Sequence, residues 1–173
     1  MSDRQRLFLA LMPEEEHRQI LHELARELAS ITGGRVIPQQ NLHMTLRFLG
    51  RIDQSKRECI ESVADSIHAI SFDLDFNEFA RRRNMVWAVA PDSPRLLSLV
   101  NSLQQIDSVC GMAAADHSFS AHITLIRDAT RMAAQLPQIA ESVHCGFSEF
   151  LLMQSQTLPQ GSQYSVVRRW PLK

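Results

Sequence analysis

The chain has 173 residues, 45% hydrophobic and 21% charged, enough for one soluble domain or two small packed lobes with a core of their own. Its 18 basic and 19 acidic side chains leave a formal net charge of −1, which excludes a protein that coats nucleic acid through a broad basic surface. Any nucleic-acid contact is expected to be local, as in an enzyme holding one end.

Cys59, Cys110 and Cys145 are odd in number, far apart and without a C-x-x-C pair. They suggest neither a disulfide framework nor a zinc site, and are expected as buried, reduced thiols. No apolar run reaches the ~20 residues of a membrane span, and the start from Met1 to Arg4 has no signal-peptide pattern. The expectation is a cytoplasmic protein without a membrane partner.

Leu7 to Leu11 is a short apolar run closed by Pro13, read as a buried strand. Glu14, Glu15 and Glu16 suit the positive end of a helix, and Ile20, Leu24, Leu28 and Ile31 give it an apolar stripe ending at Gly33–Gly34. Leu42 to Leu49 alternates, with Leu42, Met44, Leu46 and Phe48 on one face and His43, Thr45 and Arg47 on the other. Asp53 can cap a second helix with Ile60, Val63, Ala64 and Ile67 inward. Phe72, Leu74 and Phe76 form a further strand, Arg81 to Asn84 a turn, and Met85 to Ala90 is expected to run back as the partner of that strand. Ser93–Pro94 starts a third helix carrying Leu96, Leu99, Val100, Leu103 and Ile106. Gly111 to Phe119 is irregular, and His122 to Arg127 is strand-like. Residues 129–146 stay unassigned because Pro137 interrupts any long helix. Glu149 to Leu158 and Tyr164 to Trp170 are two strands around a turn at Pro159–Gln160–Gly161. This mixture without strict βαβ alternation reads as α+β, with 1–173 as a single domain.

One pattern occurs twice, as His43–Met44–Thr45–Leu46 and His122–Ile123–Thr124–Leu125. A specified three-residue pattern arises by chance on the order of 10⁻⁴ per position, so two copies point to a shared task. Residues i and i+2 of a strand share a side, so each copy offers one imidazole and one hydroxyl from one face. Two such pairs across a groove fit a tetrahedral phosphate, with hydroxyls on its nonbridging oxygens and imidazoles flanking its bridging ones. With an unperturbed pKa near ~6.5, one ring can be neutral and the other protonated, as a displacement at phosphorus needs. A strained ribose 2′,3′-cyclic phosphate suits such acid–base chemistry, with little demand for a divalent metal.

These residues resemble the two-histidine phosphoesterases, and among them the bacterial RNA 2′,3′-cyclic phosphodiesterases, also described as 2′-5′ RNA ligases. The first motif sits in the run from Asn41 to Gly50 (NLHMTLRFLG), and the resemblance extends to Arg6–Ala10 with Pro13, to Trp87, and to Tyr164 with Trp170–Leu172. It implies a bilobal α+β fold of pseudo-twofold symmetry, two antiparallel sheets lining a central cleft with helices outside. It implies that His43 is the general acid toward the 3′-oxygen and His122 the base that activates water, giving an RNA 2′-phosphate. Thr45, Thr124 and Arg127 would carry over as phosphate ligands, with no metal and no cofactor. RNA ends or oligonucleotides with a cyclic phosphate, tRNA fragments among them, would be the partners of a monomeric enzyme. Where relatives often have proline before the second histidine, this chain has Ala121.

Other readings stay open beside this one: 2′-5′ ligation by microscopic reversibility, a small cyclic nucleotide or ADP-ribose cyclic phosphate as substrate, or an RNA-end binding module. Arg127 would fall opposite His122 on an ideal strand, while Arg47 shares the side of His43. Arg81 to Arg83 could guide RNA or form a solvated turn. Phe8, Phe48, Trp87 and Phe119 could stack on a base, with core packing as the default. His17 and His22, like His117 and His122, are five apart and wrong for a zincin pair, and His68 and His144 have no assigned role.

Overall fold

Leu7, Leu9 and Leu11 of strand β1 (Gln5–Leu11) join the main core, while Phe8 and Ala10 pack with Leu151 and Met153 on the opposite side. That alternation gives the first sheet two working faces. In this computed structural model, which describes residues 4–115, 118–131 and 135–173, β1 lies between β3 (Met44–Ile52) and β9 (Glu149–Leu158), with β10 (Gly161–Pro171) beyond β9. His117 lies outside the described residues.

The second four-stranded sheet runs β2 (Arg35–Val36), β7 (His122–Arg127), β6 (Met85–Val89), β5 (Glu78–Arg82). Every pairing is antiparallel. With helices α1 (Glu15–Thr32), α2 (Gln54–Asp65), α3 (Pro94–Leu103) and the short α4 (Gln105–Val109), the class is the expected α+β.

Three details depart from the expected layout. Met85 to Ala90 does not pair with the Phe72–Phe76 strand, because an unexpected strand, β5, forms first and takes β6 as its hairpin partner, with β7 on the other side of β6. A third, two-stranded sheet pairs β4 (Phe72–Phe76) with β8 (Val143–Phe147) inside the segment left unassigned from sequence. There Val143, Cys145 and Phe147 are buried and His144 and Gly146 exposed, a period-2 pattern only five residues long. The α1 stripe is also rotated. Leu21, Ala25, Leu28 and Thr32 face the core, leaving Ile20 46% and Ile31 45% exposed. Two stripes of helical spacing coexist in that segment, and packing against the sheets selects the one with the smaller residues.

Helix starts follow their sequence signals. Asp53 accepts the Lys56 N–H at 2.9 Å and Ser93 accepts that of Leu96 at 3.5 Å, each cap typically contributing ~1 kcal/mol.

The cysteine expectation is overturned. Cys59 on α2 and Cys110 at the end of α4 form a disulfide with Cα atoms 5.8 Å apart. Their separation of 51 residues concealed a contact that exists only once α2 packs on α4. Cys145 remains free and buried, and burial pushes its thiol up to about 12.

Candidate active site

His43 stands one residue before β3, whose pairing with β1 is not regular. Ala10 opposes Thr45 and Leu9 opposes Arg47, so Leu46 is an extra residue in β3. Phe8 then opposes Phe48 and Leu7 opposes Gly50, making Leu49 a second. A bulge shifts the alternation of everything beyond it. Thr45 therefore shares the Phe8–Ala10 face, Arg47 turns to the core side, and Phe48 returns to the face of Thr45. Arg47 makes an ion pair with Asp107 at 2.6 Å and also donates to the Ala113 carbonyl. Arg47 is thus not beside His43, contrary to plain alternation, whereas Phe48 is 67% exposed on that face.

The second motif repeats the device. Val89 opposes His122 and Trp87 opposes Thr124, but Val86 opposes Ile126, so Leu125 is extra. Leu125 and Ile126 are both fully buried, and the exposed Arg127 falls on the side of His122 and Thr124. The bulge resolves the conflict between Arg127 and ideal strand geometry. Phe48 and Arg127 occupy the same place, five residues after each histidine.

Both rings are held alike. Nδ1–H of His43 donates to the Asn41 carbonyl at 2.6 Å, and Nδ1–H of His122 donates to the Ser120 carbonyl at 2.8 Å. Each bond goes two residues back and fixes the tautomer, leaving Nε2 for chemistry. In the neutral ring, His43 Nε2 accepts from the Thr45 hydroxyl at 3.1 Å. Asn41 is itself buried and anchored, its side-chain amide donating to the Ser162 carbonyl at 2.8 Å.

Aromatic rings wall the site. Phe8 and Tyr164 pack on the His43 ring at 4.9 and 5.1 Å, and Trp87 stacks on His122 at 3.7 Å. Tyr164 and Trp87 therefore act here as supports of the histidines, roles the sequence did not reveal. A paired pattern of Asn41-x-His43 and Ser120-x-His122 was the available signal for the two carbonyl anchors. Phe119, by contrast, packs on the main core.

β3 and β7 are in contact, and the charges they carry act on one another. Burial lowers the His43 pKa to about 4, opposed by the bond to Asn41 and reinforced by the charges of Arg127 and His122. Burial also lowers the pKa of His122, with the Ser120 bond opposing and Arg82 reinforcing. Both rings are thus neutral near pH 7 in the free protein. Of the arginine turn, Arg81 donates to the Ala129 and Arg131 carbonyls at 3.4 and 2.7 Å, while the exposed Arg82 lies within electrostatic reach of His122.

The histidines outside the motifs have other tasks. His22 bonds the Ile37 carbonyl at 3.0 Å, and His144 pairs across the small sheet with Asp75 at 2.7 Å, which raises its pKa. Among the described residues, Glu14, Glu16 and His17 could reach one cation together, and none belongs to the motifs.

Comparison with known proteins finds relatives along the full length of the chain. The family described as LigT like Phosphoesterase matches residues 11–84. An RNA 2′,3′-cyclic phosphodiesterase of Escherichia coli (strain K12) is 32% identical, with 99% of each chain covered. One of Archaeoglobus fulgidus is 27% identical over 94% of this chain and 98% of its own. The crystal structure of E. coli LigT complexed with 3′-AMP superposes with a TM-score of 0.90 at 27% identity, covering 98% of both chains. With its duplicated motif, shared bulges and full-length similarity, the chain belongs to the LigT-like phosphoesterases of the two-histidine superfamily.

Proposed function

We propose that the cleft hydrolyses RNA 2′,3′-cyclic phosphate ends to 2′-phosphomonoesters by acid–base catalysis between His43 and His122. The observation that carries this reading is the matched pair of rings. Each is oriented by an Nδ1–H bond to the carbonyl two residues back, with a threonine hydroxyl on the same face.

The chemistry follows from those atoms. Nε2 of His122 takes a proton from water as its oxygen attacks phosphorus, and the bond to the 3′-oxygen breaks. His43, protonated at Nε2, gives that proton to the leaving 3′-oxygen. Each ring ends in the state the other began in, and a proton returned through solvent resets the pair. Thr45 and Thr124 donate to the nonbridging oxygens, and Arg127 offsets the charge that gathers on them. Support for a phosphate substrate comes from the relatives, named RNA 2′,3′-cyclic phosphodiesterases, and from the structure of E. coli LigT complexed with 3′-AMP. The same acid and base would join a 5′-hydroxyl in reverse, but ring opening is downhill in dilute water. Among the described residues no helix is long and apolar enough to cross a membrane. The setting proposed is a cytoplasmic monomer acting on RNA ends such as tRNA fragments.

The test is ring opening of a short RNA ending in 2′,3′-cyclic phosphate, in excess EDTA, by wild type, His43→Ala and His122→Ala. A 2′-phosphate product from wild type, with both variants down at least about 10²-fold, is the expected result. Full activity in either variant would refute the mechanism.

A further inference from the structure

Arg6 and Arg51 stand directly opposite each other in the β1–β3 ladder. Both are exposed, and neither side chain makes an ion pair or hydrogen bond among the described residues. Five other arginines have acidic partners: Arg35 with Asp128, Arg47 with Asp107, Arg57 and Arg168 with Glu61, and Arg169 with Glu149. Like charges facing each other across a ladder destabilise a sheet. An anion bound between the two would relieve that repulsion.

Its placement says which anion. The β1–β9 pairing is regular, so Arg6, Phe8 and Ala10 share one face, the face of Thr45 and of the ring packed on His43. Four residues separate the Ala10–Thr45 row from the Arg6–Arg51 row, about 13 Å of strand, within reach of a few nucleotides of single strand. The exposed Phe48 lies between the two rows. Beside them, Arg4, Arg51 and Lys56 line a hollow of about 200 Å³ at the open edge of β3. Its one acidic side chain, Asp53, is engaged in capping α2.

We propose that Arg6 and Arg51 together bind a backbone phosphodiester of the strand that leads to the cyclic end, so that the enzyme prefers oligonucleotides to mononucleotides. This rests on the RNA-end reading of the cleft. It also reconciles an acidic-to-neutral chain with an RNA substrate, since the cationic contact is confined to one track.

The experiment compares kcat/KM on a 2′,3′-cyclic mononucleotide and on a hexanucleotide with the same end, for wild type, Arg6→Gln and Arg51→Gln. Each variant should lose about tenfold on the hexanucleotide and less than about twofold on the mononucleotide. The slope of log kcat/KM against log salt on the hexanucleotide should become shallower by about 0.7. The thermal midpoint of each variant should hold or rise, because a repulsive pair has been removed. Equal losses on both substrates, or none on the hexanucleotide, would overturn the proposal. Fluorescence anisotropy with a hexanucleotide ending in a 2′-phosphate separates it from the reading of the cleft. A Kd about tenfold weaker in the variants upholds the phosphate track even if no cyclic end is opened. An unchanged Kd overturns it whatever the cleft does.

Discussion

His43, the general acid we propose, has its pKa held near 4 in the free protein and is neutral at working pH, so an anion in the cleft should supply the difference. At pH 6 the free His43 ring is protonated in roughly one molecule in a hundred. A unit negative charge about 4 Å away is worth ~4 kcal/mol at an effective dielectric constant of 20, some three powers of ten in proton affinity. The opposing charges of Arg127 and His122 are already contained in the value near 4. Even half the effect protonates a substantial fraction of the rings. Sulfate is the right probe, because it is a tetrahedral dianion that does not titrate here. Binding it at pH 6 should draw in between about a quarter and one proton at His43, read by calorimetry in two buffers of different ionisation enthalpy as the difference between wild type and His43→Asn. His43→Asn should lose most of that uptake. Binding without uptake, or full uptake in His43→Asn, would refute the idea that substrate charges its own acid.

The same depressed pKa makes His43 an acid-labile element. Its stabilisation is complete above 6.5 and falls away as pH drops toward 4, by at most ~3 kcal/mol, so wild type should lose more denaturation free energy across that window than His43→Asn. Thr45→Val and Thr124→Val keep shape but lose a hydroxyl, and each should lower kcat/KM about tenfold with little change in thermal midpoint. A cyclic phosphate with sulfur at the bridging 3′ position has a leaving group that needs no proton. It should restore much of the activity of His43→Ala and none of that of His122→Ala, and the opposite pattern would exchange the two roles. Reducing Cys59–Cys110 frees a loop of 51 residues, worth ~4 kcal/mol by chain entropy, so dithiothreitol should lower the denaturation midpoint of wild type but not of Cys59→Ser.

What the sequence made legible follows from the range of each signal. The Asp53 and Ser93 caps and the strands that carry the duplicated motif are local signals, and they appear where expected. The ring anchors at Asn41 and Ser120 are local as well, yet they use backbone carbonyls, so the matched polar residue two places before each histidine was their one trace in the sequence. Contacts between distant segments were hidden: the α2–α4 disulfide, the Tyr164 and Trp87 rings against the histidines, and β8 finding β4. The faces of Arg47, Phe48 and Arg127 failed plain alternation for one shared reason. An unpaired leucine in each motif re-phases the strand, and a bulge is a property of the pairing rather than of either strand alone.

Those two leucines also explain how a repeated motif can support unequal roles. Leu46 and Leu125 are both buried and both unpaired in their ladders, so each lobe delivers its fifth residue after histidine to the cleft side. In one lobe that residue is Phe48, next to Phe8, which with Tyr164 packs on His43; in the other it is Arg127. The aromatic side can receive a nucleoside, which would bring its 3′-oxygen to His43. The opposite side, with Trp87 against His122, is left for the attacking water. An in-line displacement requires the entering and leaving oxygens on opposite sides of phosphorus. The asymmetry at the fifth position therefore favours His43 as acid and His122 as base, although their motifs, anchors and bulges are the same.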